Sequence, residues 1–111
     1  MSNARYSYTR EKLSVALHSL ATGPGNVRER LLTAYMEFHT LTPEDFPEEF
    51  KDDWRWITYQ ITRFGPLEGP NGEIWQGSAE HTLTRIRNKT GVKIADKIYE
   101  LQWKLNEDQY L

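Results

Sequence analysis

The sequence predicts an all-α protein, a compact bundle of four to five helices that forms a single domain over residues 1–111. Three observations predict this fold. Apolar residues recur at spacings of three and four along most of the chain, which is the period of an amphipathic helix. Glycine and proline interrupt that period at a few points, and aromatic residues (13% of the chain) supply material for one core. Residues 1–8 precede the first periodic segment, and we expect them to form a flexible N-terminal arm.

Capping signals predict the first two helices. Thr9 is expected to cap a helix that runs to about Ala21, where residues 22–25 (Thr-Gly-Pro-Gly) end it. Asn26 followed by Glu29 is typical of a capping box and predicts the start of a second helix. The inward-facing positions of the two helices are then Leu13, Leu17, Leu20, Val27, Leu31, Ala34, Tyr35 and Phe38.

The third helix has the clearest apolar stripe of the chain. Thr42 is expected to cap a short turn that ends at Phe46, and Pro47 suits the first position of the helix that follows. Gly65 and Pro66 end this helix. Its apolar residues follow one another at intervals of 4, 3, 4 and 3, and they are Phe50, Trp54, Ile57, Ile61 and Phe64.

An irregular segment precedes the last two helices. Residues 65–77 hold four of the seven glycines, and Asn71-Gly72 is typical of a hairpin turn, so one short hairpin is an open alternative to a plain loop. Ser78 is expected to cap the fourth helix, and residues 88–91 to interrupt the helical pattern before a last helix from about Val92 to Asn106. The inward positions are Ala79, Leu83, Ile86, Ile94, Ile98, Leu101 and Leu105.

The sequence lacks the motifs that identify most enzymes and cofactor sites. There is no cysteine, which excludes disulfides, thiolate metal sites and a cysteine nucleophile. His18, His39 and His81 fall in three different elements without metal-ligand spacing. We find no serine-nucleophile motif and no P-loop. We therefore expect no catalytic activity, no metal and no cofactor, and a cytoplasmic protein without a membrane span.

Charges are sorted along the chain. Residues 44–53 carry six carboxylates and one base, whereas residues 85–97 carry five bases and one acid. About half of this sorting follows from helix ends, where the helix dipole favours acids at the start and bases at the close. The charges not explained in this way are expected to rim any surface that binds a partner, and they are Asp52, Asp53, Lys93 and Lys97.

Large aromatic side chains lie off the core stripes of two helices. Trp56 and Tyr59, together with Arg63, fall opposite the apolar stripe of the third helix, and Tyr99 and Trp103 fall well away from that of the last helix. Either helix could be buried on both sides, or the rings could lie flat on the surface, or they could contact another chain. We adopt the third alternative as the hypothesis: a non-catalytic protein that binds a protein partner, by default a second copy of itself.

A second hypothesis is a nucleic-acid-binding regulator that uses residues 78–106. Leu83-x-x-Ile86 followed by Thr90-Gly91-Val92 resembles the turn of a helix-turn-helix motif. Against the motif, Arg87 stands where a small residue is usual, and the net charge of −2 is unlike that of most DNA-binding domains. The residues that would contact phosphates are Arg85, Arg87, Lys89, Lys93 and Lys97.

Overall fold

The computed structural model describes residues 4–108 and confirms the all-α bundle with a small hairpin. The α-helices and strands of this range are α1 (Ser7–Thr22), α2 (Val27–Phe38), α3 (Lys51–Thr62), β1 (Leu67–Glu68), β2 (Ile74–Gln76), α4 (Ser78–Arg85) and α5 (Asn88–Asp108). Single 3₁₀ turns lie at Ala4–Tyr6, Pro43–Asp45 and Glu48–Phe50.

One hydrophobic core is shared by the α-helices. α1 packs on α2, α5 packs on α1, α2 and α3, and α4 is held between α2 and α3. At its centre the Trp54 ring stacks on Phe46, with ring centroids 4.8 Å apart, and meets Phe38 edge-on at 5.0 Å. Burial of each such ring stabilises the fold by roughly 1.5–3 kcal/mol. The apolar stripe of α5, which includes Ile98 and Leu105, closes the core from one side.

The first helix begins earlier than the sequence predicts. Thr9 is not its cap, because Ala4–Tyr6 form a 3₁₀ turn and α1 starts at Ser7. Thr9 is buried instead, and its hydroxyl donates a 2.7 Å hydrogen bond to the carbonyl oxygen of Asp45. Of the expected N-terminal arm, residues 1–3 lie outside the described residues, and the remainder is helical.

The start of α2 agrees with the prediction, whereas the start of α3 does not. The Asn26 side chain accepts hydrogen bonds from the backbone N–H groups of Arg28 and Glu29, and the Glu29 carboxylate accepts one from Asn26 N–H. Pro47 precedes the 3₁₀ turn Glu48–Phe50 rather than an α-helix. α3 itself ends at Thr62, so Phe64, which the sequence places on the stripe, lies outside the helix and is exposed.

The hairpin over residues 65–77 is present. β1 and β2 pair antiparallel with one irregularity in register, and the turn between them uses a positive φ of 83° at Gly72. A Cβ atom at Gly69 would lie 2.5 Å from ring atoms of Trp75, so the indole covers this glycine. One face of the Trp75 ring therefore packs on the hairpin backbone, and the rest of the ring is exposed.

The junction of α4 and α5 differs from the prediction. The helices are joined at residues 86–87, and Asn88 begins α5, so Gly91 lies within the helix instead of in a turn. The absence of a Cβ at Gly91 lets α5 approach α2, because an added Cβ would lie 3.0 Å from Val27 Cγ1. Arg28 of α2 holds the junction by donating to the Ile86 carbonyl (3.1 Å) and to the Asn88 side chain (3.0 Å). Gly91 therefore does not form the turn that the helix-turn-helix resemblance requires.

Candidate protein-interaction surface

The aromatic residues off the core stripes are exposed. Trp56 is 40% exposed, Tyr59 62%, Tyr99 56% and Trp103 54%. These values exclude the alternative in which α3 or α5 is buried on both sides. The two alternatives that remain are rings lying on a free surface and rings that contact another chain.

α5 carries a second periodic stripe on its exposed side. Val92, Asp96, Tyr99 and Trp103 follow one another at intervals of 4, 3 and 4, the spacing of a helix that packs against another helix. Lys93 and Glu100 flank this stripe and are also exposed. We call these six residues the outer face of α5. The sequence prediction missed Val92, which is 57% exposed, because it placed the start of the helix at this residue.

An apolar groove runs along one side of the outer face of α5. It has a volume of about 580 Å³ and lies between α5, the C-terminal part of α1 and the first turn of α2. Val92 and Tyr99 form part of its wall, so the groove and the outer face are continuous. Its lining residues are Leu17, Leu20, Ala21, Val27, Arg30, Val92, Ala95, Asp96 and Tyr99. Neighbouring apolar side chains of this kind are what a partner side chain would contact.

Trp56 lies in a charged cavity on the other side of the outer face. This cavity, of about 290 Å³, is formed by α3 and α5, and its lining residues are Asp52, Asp53, Trp56, Lys93, Asp96, Lys97 and Glu100. A smaller cavity of about 250 Å³ between Tyr99 and Trp103 shares Asp96 and Glu100 with it. The structure thus brings Trp56, Tyr99 and Trp103 around the same two carboxylates.

Asp53 connects α3 to α5 through two ion pairs. Its carboxylate lies 3.2 Å from Lys97 Nζ and 3.3 Å from Lys104 Nζ, and its side chain is only 22% exposed. Lys104 also pairs with Glu100 at 3.2 Å. The hydrogen bond to Glu100 raises the pKa of Lys104 above its ordinary value, and the hydrogen bond to Asp53 acts in the same direction. The acidic and basic segments of the sequence therefore meet at one inter-helix network.

Tyr59 and Arg63 lie apart from the other aromatic candidates. Neither lines the two cavities around Asp96 and Glu100. The Arg63 guanidinium lies over the Phe64 ring, 5.0 Å from its centroid, so it contacts a residue of its own segment. The sequence prediction grouped these two residues with Trp56, and the structure does not.

The basic residues of segment 85–97 are divided between two environments. Lys97 is paired with Asp53, and Lys93 shares its cavity with four carboxylates, those of Asp52, Asp53, Asp96 and Glu100. Arg85, Arg87 and Lys89 are exposed near the junction of α4 and α5. The five residues therefore do not form one uninterrupted basic surface.

A second exposed apolar surface lies between α2 and the hairpin. Met36, Ile74 and Trp75 are each more than half exposed and line a groove of about 560 Å³, together with Tyr35 and His39. Sequence periodicity does not reveal this surface, because its members come from a helix and from a separate hairpin, and Met36 and Ile74 are 38 positions apart.

The histidines lie in separate places. The His81 ring bonds the Gly65 carbonyl through Nδ1 (2.9 Å), and His39 bonds the Met36 carbonyl in the same way. Within residues 4–108, no group of three or more His, Asp or Glu side chains is placed to hold a metal ion. The helices of this range also include none with the length and apolar composition needed to cross a bilayer.

Comparison with protein-family models, with curated proteins and with solved structures gives no match to this chain.

Proposed function

We propose that this chain is a non-catalytic protein-interaction module that self-associates as a homodimer through the outer face of α5. The observation that carries the proposal is the exposure of Tyr99 and Trp103 on a stripe that repeats at heptad spacing. A helix exposed on one side needs only one apolar stripe, and α5 has a complete buried stripe on its opposite side. The second stripe has no role in the core of a single copy.

The residue types on this face support a protein partner. Tryptophan and tyrosine are enriched among the residues that dominate binding energy at interfaces, because each buries a large rigid area at little cost in side-chain entropy. The apolar groove beside them offers a place for a partner side chain. A second copy is the simplest partner, since two-fold symmetric dimers are the commonest assembly of soluble proteins.

The test is the molar mass of the purified protein over a dilution series, measured by light scattering or sedimentation. We expect a dimer that dissociates on dilution, and a dissociation constant raised roughly tenfold or more by Trp103→Ala. Trp75→Ala is the matched control, because it removes an equally exposed tryptophan from the hairpin. A monomer at all concentrations, or equal weakening by both variants, contradicts the proposal.

The nucleic-acid hypothesis gives a different result in solution. It requires binding to duplex DNA at low salt that falls steeply as salt rises and that is lost on Arg87→Glu with Lys89→Glu. Such binding, with a protein that remains monomeric, would replace the proposed function by the alternative one.

A further inference from the structure

We infer that two copies pair their α5 helices antiparallel, so that Trp103 of each copy packs beside Val92 and the adjoining apolar groove of the other. This inference depends on the proposed self-association and specifies its geometry. The occupant of the groove is then a side chain of a second copy of this chain.

The direction of pairing follows from the charges beside the stripe. One column of exposed residues on α5 reads Lys93, Glu100, Glu107 at intervals of seven. These residues occupy e positions, which in a parallel pair face the uncharged g positions Asn88, Ala95 and Gln102 of the other copy, so the column would gain no ion pair. Antiparallel copies place the basic end of one column beside the acidic end of the other.

The register follows from the heptad positions. Val92 and Tyr99 occupy d positions, and Asp96 and Trp103 occupy a positions, because the intervals run 4, 3 and 4. In antiparallel pairing each a residue faces a d residue. The layers are then Val92 with Trp103 of the second copy, and Asp96 with Tyr99 of the second copy, where the phenol hydroxyl donates to the carboxylate.

The same register joins the flanking charges. When Val92 faces Trp103, Lys93 of each copy lies beside Glu100 of the other, which gives two symmetric ion pairs. Lys93 is exposed and makes no ion pair with the described residues of its own chain, so its ammonium group is available. The contacts between a and d residues and the Lys93–Glu100 ion pairs are separate features of the sequence, and both favour this alignment.

The groove provides the apolar contact that this alignment needs. Val92 forms part of its wall, beside Leu20 and Val27. A Trp103 side chain placed against Val92 therefore reaches the groove, and two-fold symmetry fills both grooves at once. Tryptophan is enriched among interface hot spots, which cluster in well-packed pockets that exclude water.

Charge reversal tests the register. Lys93→Glu and Glu100→Lys should each raise the dimer dissociation constant about tenfold, since each variant places two pairs of like charges together. The double variant Lys93→Glu/Glu100→Lys should return the constant to within about threefold of the native value. The control is Glu80→Lys, which reverses an exposed carboxylate on α4, away from the outer face of α5, and should leave the constant unchanged.

Cross-linking tests the direction of pairing independently. Because the chain has no cysteine, Lys93→Cys and Glu100→Cys each introduce one defined thiol. With a short bis-maleimide, a mixture of the two variants should give the mixed cross-linked dimer in clear excess over either variant alone. In this register the two thiols are five positions apart for Glu100→Cys alone and nine for Lys93→Cys alone, about 8 and 14 Å along the helix axis, but only two positions, about 3 Å, for the mixed pair.

The outcomes separate the two proposals. A dimer that ignores both charge reversals, or that cross-links best between identical positions, overturns the antiparallel register while leaving self-association intact. A native protein that is monomeric at all concentrations overturns both.

Discussion

Two buried threonine hydroxyls join helices to the segments beside them. Thr9 of α1 donates to the Asp45 carbonyl in the turn before α3, and Thr82 of α4 accepts a 3.1 Å hydrogen bond from Phe64 N–H just after α3. Both partners are backbone groups outside regular helix, which would otherwise lose their hydrogen bonds on burial. The α3 segment is thereby fixed at both of its ends by a side chain from another helix.

We predict that Thr82→Val lowers the free energy of unfolding by about 1 kcal/mol, because the shape is kept and the partly buried Phe64 N–H loses its acceptor. Thr84→Val is the matched control: Thr84 lies two residues away on α4 and is exposed, and its hydroxyl donates to the His81 carbonyl of its own helix. Denaturant unfolding of both variants measures the difference. An effect of Thr84→Val as large as that of Thr82→Val would contradict this role.

A side-chain hydrogen bond can be predicted from the sequence when its two partners are close together in the chain. Asn26 and Glu29 are three residues apart, so the capping box is readable from the sequence and is found in the structure. Thr9 bonds a residue 36 positions away, and nothing in its neighbourhood announces that partner. Its misassignment as a cap therefore reflects a tertiary contact that overrides a local preference.

At the scale of elements, the periodicity predicts the helix bodies, while their ends depend on packing. Gly91 is typical of a helix break, but it lies inside α5 because its missing Cβ allows contact with Val27. This moves the start of α5 back to Asn88 and adds Val92 to the outer face. The aromatic members of that face were predictable from helix angles. The groove was not, since it needs the relative placement of three helices.

The ion pairs of Asp53 with Lys97 and Lys104 should stabilise the packing of α3 against α5. We predict that Asp53→Asn lowers the free energy of unfolding by about 1 kcal/mol, because Lys97 and Lys104 lose their shared partner in a partly buried site. Asp52→Asn should cost only about 0.3 kcal/mol, since Asp52 is exposed and pairs with Arg55 of the same helix.

These two carboxylates are neighbours in the first turn of α3, so the helix dipole affects both in the same way. The difference between the two variants thus reports the contact with α5. It should shrink as salt is added, because both pairs are accessible to screening ions. Equal costs for the two substitutions would assign the effect to the helix start alone.

At the scale of the whole molecule, assembly and stability should be linked. If the folded chain dimerises and the unfolded chain does not, the midpoint of thermal unfolding rises with protein concentration by mass action. We predict such a rise for the native protein and a much smaller one for Trp103→Ala. Calorimetric scans over a hundredfold range of concentration measure it. A midpoint that is independent of concentration in the native protein would argue for a monomer.

Charged residues separate the exposed apolar residues of α5 from one another along the helix. Lys93, Asp96, Glu100 and Lys104 alternate with the apolar residues of the stripe, so no two exposed apolar residues of α5 between Val92 and Trp103 are adjacent in sequence. Charged residues in such positions act as gatekeepers against non-specific aggregation, because an unrelated apolar surface would have to desolvate them without supplying a counter-charge. If the chain dimerises as proposed, this arrangement would protect the outer face of α5 from aggregation before two copies meet.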